Sequence, residues 1–323
     1  MHCNFIDRKG NLPPSLKEGN VFGKVTVTQC MMKEVQHKKI SFRKPDWVGH
    51  PLSSDPAFFR MRSFLDNRRL HTVCLEARCP NCEECFARGT ATFMILGATC
   101  TRCCRFCAVH QGEPSLPDPD EPRRVAEAAV QISLDYVVVT SVTRDDLDDG
   151  GAGAFAETIR ALRVRRPGIL IEVLIPDFRG NETALRTVLD ARPDVINHNL
   201  ETVKRLYPEV RPGAVYDCSL KLLDRARRRA PDVTVKSGLM LGLGERPDEL
   251  ETALKELHAA GCRTLTLGQY LQPRKECLPV ARFVLPEEFD TWRKTALGMG
   301  FHRVSAGPLV RSSYHAEALD TQR

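Results

Sequence analysis

Short apolar stretches alternate with longer amphipathic segments along most of this chain, from about residue 90 onward. The apolar stretches, rich in Val, Ile, Leu and Thr, predict strands at 91–96, 136–142, 169–175, 195–199, 234–241 and 264–269. Helical periodicity predicts helices near 121–133, 152–165, 182–191, 216–230 and 247–260. Strand–helix alternation of this kind is typical of a parallel sheet covered by helices. Several of the strands are apolar throughout, which is expected when both faces of a sheet are buried.

These repeats predict an α/β fold, a partial (β/α)6 barrel of the TIM type with an extension at each end. We assign residues 1–45 to a flexible N-terminal arm, 46–89 to an N-terminal extension, 90–285 to the barrel and 286–323 to a C-terminal extension. The arm lacks sustained periodicity, although alternation at 21–27 predicts a short strand. The extensions carry predicted helices at 56–69 and 286–299, and a short strand precedes Gly307. Trp47 and the Phe residues of the first helix are predicted to be core.

The composition is that of an ordinary soluble protein. A chain of 323 residues with 42% hydrophobic and 27% charged residues is large enough for one barrel of about 200–250 residues. It contains no run of about eighteen apolar residues and no charged-then-apolar leader, so we expect no membrane association and a cytoplasmic location. The formal charge of +6 is modest, and the basic runs lack interleaved aromatic residues, which argues against nucleic-acid binding.

Thirteen cysteines change this picture, since eight of them lie between Cys74 and Cys107 in spacings typical of metal ligands. The first group consists of Cys74, Cys79, Cys82 and Cys85, and it permits C-x4-C-x5-C as well as C-x2-C-x2-C. The residues alone leave a ferredoxin-like cluster or a zinc knuckle open for this group. Clustered thiols of this kind favour a reducing compartment and oxygen-sensitive metal centres.

The second group lies in the loop of residues 100–107, directly after the first barrel strand. Cys100, Cys104 and Cys107 have the spacing C-x3-C-x2-C, while Cys103 also permits C-x2-C-x3-C. An iron–sulfur cubane usually takes four thiolates, so three from one loop indicate either a remote fourth ligand or an iron left open for a substrate. A structural zinc site is the alternative, although such sites usually show paired C-x2-C or Cys/His spacings.

Polar side chains stand in or at the ends of several predicted strands, and barrel enzymes place their active residues at strand ends. Thr140 and Ser141 end the second strand, and Glu172 lies in the third. Asn199 ends the fourth strand, and Lys236 lies in the fifth. Each could bind a polar cofactor. The alternative for any single one is a helix cap or a hydrogen-bonded barrel residue.

The two cysteine groups and a later Arg311-Ser-Ser-Tyr314 stretch closely resemble those of the lipoyl synthases, a family of radical S-adenosylmethionine enzymes. The resemblance runs from about Lys44 to the end of the chain. The residues that carry it are Cys74-x4-Cys79-x5-Cys85, Cys100-x3-Cys104-x2-Cys107, Val142-Thr-Arg-Asp-Asp-Leu, Pro176-Asp-Phe-Arg-Gly180, Asn197-His-Asn-Leu-Glu201, Lys236-Ser-Gly-Leu-Met and Leu267-Gly-Gln-Tyr-Leu-Gln-Pro273.

The resemblance implies two 4Fe-4S clusters and S-adenosylmethionine as cofactors. The implied ligands of the cluster that cleaves S-adenosylmethionine to a 5′-deoxyadenosyl radical are Cys100, Cys104 and Cys107. The implied contacts of S-adenosylmethionine are Phe106, Thr140, Ser141, Glu172, Asn199 and Lys236. The implied ligands of an auxiliary cluster are Cys74, Cys79, Cys85 and Ser313, with Ser312 as the alternative to Ser313. The radical then removes hydrogen at carbons six and eight of a protein-bound octanoyl-lysine, and the auxiliary cluster is dismantled to supply sulfur to both.

The implied partners are octanoylated carrier domains, an electron donor such as ferredoxin or flavodoxin, and an iron–sulfur cluster carrier. The carrier domains are those of 2-oxoacid dehydrogenase acyltransferase subunits and of the glycine-cleavage carrier protein. Two other functions stay open: a radical methylthiotransferase, which normally carries an RNA-binding domain after the barrel, and a non-catalytic iron–sulfur electron-transfer protein. The extra thiols Cys82, Cys103 and Cys277 depart from the family pattern, which leaves the ligand identity within each loop open.

Overall fold

The structure is a computed structural model that describes residues 44–48 and 55–316. Its strands are β1 (His71–Thr72), β2 (Thr92–Ile95), β3 (Thr99–Cys100), β4 (His110–Gln111), β5 (Tyr136–Ser141), β6 (Leu170–Leu174), β7 (Val195–Asn197), β8 (Thr234–Leu241), β9 (Thr264–Gln269) and β10 (Arg303–Gly307). The predicted strand at 21–27 and all but the end of the predicted N-terminal arm lie outside the described residues.

Ten α-helices accompany these strands in the described part of the chain. They are α1 (Pro56–Asp66), α2 (Val73–Glu76), α3 (Cys82–Ala87), α4 (Glu121–Gln131), α5 (Ala152–Arg165), α6 (Glu182–Asp190), α7 (Tyr207–Val210), α8 (Tyr216–Arg229), α9 (Pro247–Ala259) and α10 (Pro286–Gly298). Short 3-10 turns lie at Asp46–Val48, Phe178–Gly180 and Lys204–Leu206. The six predicted barrel strands and the five predicted helices between them are confirmed, with ends that differ by a few residues at most.

One eight-stranded sheet forms the centre of the fold, in the order β1-β2-β5-β6-β7-β8-β9-β10. Strand β1 is antiparallel to β2, and the other neighbours in this sheet are parallel. Apart from β10, the parallel strands are buried along most of their length, and β9 is buried at every position. Such burial is expected in a parallel α/β barrel, in which helices cover the outer face of the sheet and side chains fill its interior. The predicted partial α/β barrel is thereby confirmed.

Two elements outside the predicted repeats bring the chain ends to the barrel. Strand β1 adds an antiparallel edge in which His71 faces Met94 and Thr72 faces Phe93, and α2 follows it directly. At the other edge, β10 pairs in parallel with β9 from Arg303 to Gly307. The first cysteine group and the C-terminal tail are therefore each anchored to an edge strand of the same sheet.

The N-terminal helix departs in part from its predicted packing. Phe58 stacks on Phe86 with ring centroids 5.7 Å apart, so one face of α1 contacts α3. In contrast, Trp47 is 41% exposed and Phe59 is 56% exposed, and their assignment to the core is wrong. On an amphipathic helix Phe59 follows Phe58 by one position, which places it about 100° away from the buried face. No helix in residues 44–48 and 55–316 is long and apolar enough to cross a membrane.

Candidate active site

The loop of residues 100–107 lies at the carboxyl end of the barrel strands. It begins in β3, which pairs in parallel with β4, and the amide of Gly112 donates to the carbonyl of Cys100 over 3.0 Å. Loop amides and carbonyls also bond to three neighbouring segments: Thr101 N to Thr143 O (3.0 Å), Arg105 N to Val210 O (3.0 Å), and Leu278 N to Arg105 O (2.8 Å). The loop is thus fixed from several sides.

A cavity of about 540 Å³ opens beside this loop, and the three predicted cluster ligands in the loop contribute to its wall. Four of the six predicted cofactor contacts also line it: Phe106, Thr140, Ser141 and Asn199. Cys103 does not belong to the lining. Cys100, Cys104 and Cys107 are free thiols. The structure therefore gathers the C-x3-C-x2-C register around one cavity.

Two buried polar atoms in this cavity wall have no hydrogen-bond partner within the described residues. They are the hydroxyl of Ser141 and Nε of Arg211. Nη1 of Arg211 donates to the carbonyl of Asn199 (3.0 Å) and to the hydroxyl of Tyr207 (2.8 Å), which fixes the guanidinium. Buried polar groups are usually satisfied, so these atoms fit a polar, partly anionic ligand such as the methionine part of S-adenosylmethionine.

The electrostatics of the loop come from burial and from the nearby cation Arg211. Burial raises the pKa of the Cys104 thiol, and nearby Arg211 opposes this shift. Burial also raises the pKa of Cys107 to about 12. The pKa of Glu201 is raised by burial as well, with Arg211 again opposing. Arg211 and Glu201 line the cavity, and sequence reasoning missed both as site residues, although Glu201 ends a motif that it had singled out.

Glu172 and Lys236 were predicted to contact the cofactor, but they do not belong to the cavity lining. Instead, the ammonium of Lys236 lies 3.0 and 2.9 Å from the two oxygens of Glu172, with both side chains buried. Asn197 and Tyr136 also donate to this carboxylate, over 2.7 and 2.6 Å. Both charged residues lie before the carboxyl ends of their strands, so their side chains pair inside the barrel and do not reach its opening.

A second cavity is lined by Cys74, Cys79 and Cys85 together with Ser313. Cys74 lies in α2, and Cys85 lies in α3. Burial raises the pKa of Cys74, and the three other thiols of this group raise it further. Cys82 is buried but does not line the cavity. The three cysteines of the C-x4-C-x5-C register therefore line the same cavity as the tail serine.

The tail reaches this cavity through contacts with the cysteine motif itself. The side-chain amide of Asn81 donates to the carbonyl of Leu309 over 2.7 Å, and the hydroxyl of Tyr314 lies 3.0 Å from both oxygens of Glu84. Ser312 points elsewhere, since its hydroxyl donates to Oδ1 of Asn199 over 2.9 Å. Ser312 lines only the first cavity, whereas Ser313 lines both.

The two cavities share part of their walls. Cys79, Arg311 and Ser313 line both of them, so a group held in one lies next to a group held in the other. In residues 44–48 and 55–316, no three His, Cys, Asp or Glu side chains lie close enough to hold a single metal ion. A further thiol, Cys277, donates to the carbonyl of Cys107 over 3.5 Å.

Comparisons with known proteins agree with this architecture. Residues 94–257 match the Radical SAM superfamily. The lipoyl synthase of Chlorobaculum parvum is 52% identical over 279 residues, which cover 86% of this chain and 95% of that protein. That of Desulfotalea psychrophila is 53% identical over 284 residues, covering 88% and 95%. That of Methylococcus capsulatus is 56% identical over 276 residues, covering 85% and 86%.

Solved structures with the same fold are distant in sequence. Streptococcus suis SuiB bound to S-adenosylmethionine superposes with a TM-score of 0.53 at 10% identity, covering 70% of this chain and 54% of that one. Methylornithine synthase (PylB) superposes with a TM-score of 0.50 at 14% identity, covering 65% and 69%. At these identities the likeness concerns the fold alone.

Proposed function

Since this chain belongs to the lipoyl synthases, a family of radical S-adenosylmethionine enzymes, we propose a division of labour between its two cysteine-lined cavities. The reaction is the insertion of two sulfur atoms, at carbons six and eight, into a protein-bound octanoyl chain. Side-chain acid–base chemistry does not break an alkyl C–H bond, so cofactors carry this step. The protein binds them, orients them and excludes water.

The first cavity holds S-adenosylmethionine beside a 4Fe-4S cluster on Cys100, Cys104 and Cys107. When bound, this pair supplies the one-electron chemistry that removes hydrogen from an unactivated carbon. The fixed guanidinium of Arg211 offers its unpaired Nε to the carboxylate of the cofactor, and Ser141 offers its hydroxyl. Thr140 plays a smaller polar part, because its hydroxyl already donates to the carbonyl of Leu174 over 2.9 Å.

The second cavity holds the auxiliary 4Fe-4S cluster, with Cys74, Cys79, Cys85 and Ser313 as ligands. When bound, this cluster supplies the sulfur. An oxygen ligand matches cluster iron less well than a thiolate does, so Ser313 would be the most weakly held of the four ligands. The Tyr314–Glu84 contact would keep the tail beside the cavity whether or not Ser313 was bound to iron.

The observation that carries this proposal is the shared wall of the two cavities. The octanoyl chain must meet the hydrogen-abstracting centre and the sulfur donor without leaving the protein, and Cys79 and Ser313 border both spaces. A reaction that uses two clusters requires two groups of ligands beside adjoining spaces, and the thiols form two such groups. An electron-transfer protein has no need of the adjoining cavity.

The proposal also includes the partner proteins of the enzyme. The octanoyl carriers are the acyltransferase subunits of 2-oxoacid dehydrogenases and the glycine-cleavage carrier protein. A ferredoxin or flavodoxin supplies electrons, and a cluster carrier rebuilds the auxiliary cluster. The ten free thiols among the described residues favour a reducing compartment, and we place the enzyme in the cytoplasm.

The test uses anaerobically reconstituted protein, S-adenosylmethionine, a reductant and an octanoyl-lysine peptide, with products followed by mass spectrometry. The auxiliary-ligand variant carries Cys74→Ala, Cys79→Ala and Cys85→Ala together, and it should cleave S-adenosylmethionine without inserting sulfur. The radical-ligand variant carries the Ala substitutions at all three loop cysteines, 100, 104 and 107, and it should do neither. Sulfur insertion by the auxiliary-ligand variant would show that the sulfur comes from elsewhere.

A further inference from the structure

Arg102 forms ion pairs with two carboxylates that follow different strands. It lies between the first two proposed ligands of the radical cluster. Its Nε and Nη2 donate to Asp145 over 2.6 and 2.9 Å, and its Nη1 and Nη2 donate to Asp177 over 2.7 and 2.6 Å. Both pairs are bidentate, the strongest arrangement that a guanidinium makes with a carboxylate. The side chain of Arg102 is 5% exposed, that of Asp177 is 3% exposed and that of Asp145 is 26% exposed.

The two carboxylates are held by further bonds at the ends of the barrel strands. Asp177 follows β6 and accepts from the amide of Arg179 over 2.9 Å. Asp145 follows β5, and its amide donates to the hydroxyl of Thr101 over 3.0 Å. That hydroxyl in turn donates to the carbonyl of Thr143 over 2.9 Å. The links join the cysteine loop to the rigid ends of β5 and β6.

The network depends on each of its members. Hydrogen bonds to Arg102 outweigh the effect of burial on the pKa of Asp177 and hold that pKa well below its usual range. If the loop moved away, Asp177 would lose its cation, and a buried carboxylate without its cation is costly. Lysine could not replace the arginine, because a single ammonium lacks the fork that spans two carboxylates.

We propose that Arg102 is a positioning residue for the radical cluster, which bridges Asp145 and Asp177 and thereby holds the loop of residues 100–107 in its ligating conformation before iron arrives. The inference rests on the proposed function, because it takes the loop thiols as ligands. A short loop that is ordered in advance loses little conformational entropy on binding iron. The auxiliary cluster is held by other segments, so its retention does not depend on Arg102.

The test compares Arg102→Lys with Arg123→Lys. Arg123 also donates to two carboxylates, those of Asp120 and Glu127, but its side chain is 53% exposed and lies in α4, outside the cysteine loop. Both substitutions are placed in the auxiliary-ligand variant, which retains only the radical cluster. The measured quantity is the rate at which iron passes to a chelator. Substituting a residue that supports metal ligands typically changes the affinity for the metal by about 10- to 100-fold. We expect an increase of that size for Arg102→Lys and a change of less than about twofold for Arg123→Lys.

A second readout uses apo-protein and therefore does not depend on loaded iron. Amide hydrogen exchange in residues 100–107 should speed up in Arg102→Lys and stay unchanged in Arg123→Lys. Asp145→Asn, at the partly exposed member of the network, should give a smaller increase in the same direction and serves if Arg102→Lys does not fold. Placed in the radical-ligand variant, Arg102→Lys should leave the loss of auxiliary iron unchanged.

Three results would overturn the proposal. Equal acceleration of iron loss from both clusters would mean that Arg102 supports the fold in general. Unchanged iron loss together with unchanged exchange would mean that the loop is ordered without it. If the auxiliary-ligand variant binds no iron even with Arg102 present, the ligand assignment itself fails, and the failure is then recognised before any Arg102 substitution is made.

Discussion

Replacing Lys236 with Met tests whether the Glu172–Lys236 pair serves stability or cofactor binding. The pair lies inside the barrel, where the ammonium contacts both carboxylate oxygens at 3.0 and 2.9 Å. The side chains are 2% and 0% exposed. Met fills nearly the same volume without charge, so the substitution removes the cation and leaves the buried Glu172 carboxyl without its partner.

The expected loss of stability follows from that isolation. Removing one partner of a buried pair costs about 3–5 kcal/mol. Asn197 and Tyr136 still donate to the carboxylate, over 2.7 and 2.6 Å, so we expect a value near the low end, about 3 kcal/mol. The double variant Lys236→Met/Glu172→Gln removes both charges and should recover most of this loss.

The assay is urea unfolding of the apo-proteins under anaerobic conditions, in which the midpoint falls while the denaturant slope stays constant. The control is Lys204→Met, which breaks a 2.8 Å pair with Asp217 on the surface. Exposed pairs contribute about 0–1 kcal/mol, so the control should change little. Affinity for S-adenosylmethionine is measured on the same variants. The reasoning is refuted if Lys236→Met loses less than about 1 kcal/mol and yet weakens cofactor binding about tenfold, since the pair would then act on the cofactor.

Three further predictions concern single residues near the two cavities. Cys104→Ala should abolish S-adenosylmethionine cleavage, measured as 5′-deoxyadenosine, whereas Cys103→Ala should retain it; the opposite result would shift the ligand register. Ser313→Ala should keep near-normal iron and lose lipoyl product by mass spectrometry, and Ser312→Ala should keep more product, unless Ser312 is the ligand. His198 is buried and its pKa is lowered to about 4, chiefly by burial, so the unfolded chain binds its proton first. Stability should therefore fall as the pH drops from about 6.5 to about 4, by up to about 3 kcal/mol, and His198→Gln should lack that slope in urea titrations.

The barrel could be predicted from the sequence because its strands and helices differ in period. The strand at 234–241, for example, has both ends as predicted. The position of the site could be predicted too, since a loop that follows a parallel strand lies at the carboxyl edge. The direction of individual side chains could not be predicted. Glu172 aligns with Val195, and Lys236 aligns with Asn197, on opposite sides of β7. Their pairing depends on the order of the strands, which the alternation of strands and helices does not reveal.

Contacts between distant loops could not be predicted from the sequence, for a related reason. Arg102, Asp145 and Asp177 each stood in a recognised motif, but spacing along the chain does not indicate which motifs meet. The same holds for Asn81, which bonds to Leu309 across more than two hundred positions. The two groups of thiols could be singled out from the sequence because their spacing is local, whereas the residues that contact their loops could not, because those contacts are not local.

Two glycines explain how the tail reaches both cavities. A Cβ on Gly268, in the last barrel strand, would lie 2.1 Å from the carbonyl oxygen of Val310. A Cβ on Gly238, in β8, would lie 2.5 Å from Oγ1 of Thr266 and 3.3 Å from the hydroxyl of Ser312. The 2.1 Å distance is closer than a side chain tolerates, so the tail backbone passes directly over β9 only because Gly268 has no side chain. At Gly238 the contact under 3 Å is with Thr266 of the neighbouring strand, and the approach to Ser312 at 3.3 Å is tight, so the absence of a side chain there leaves room for both.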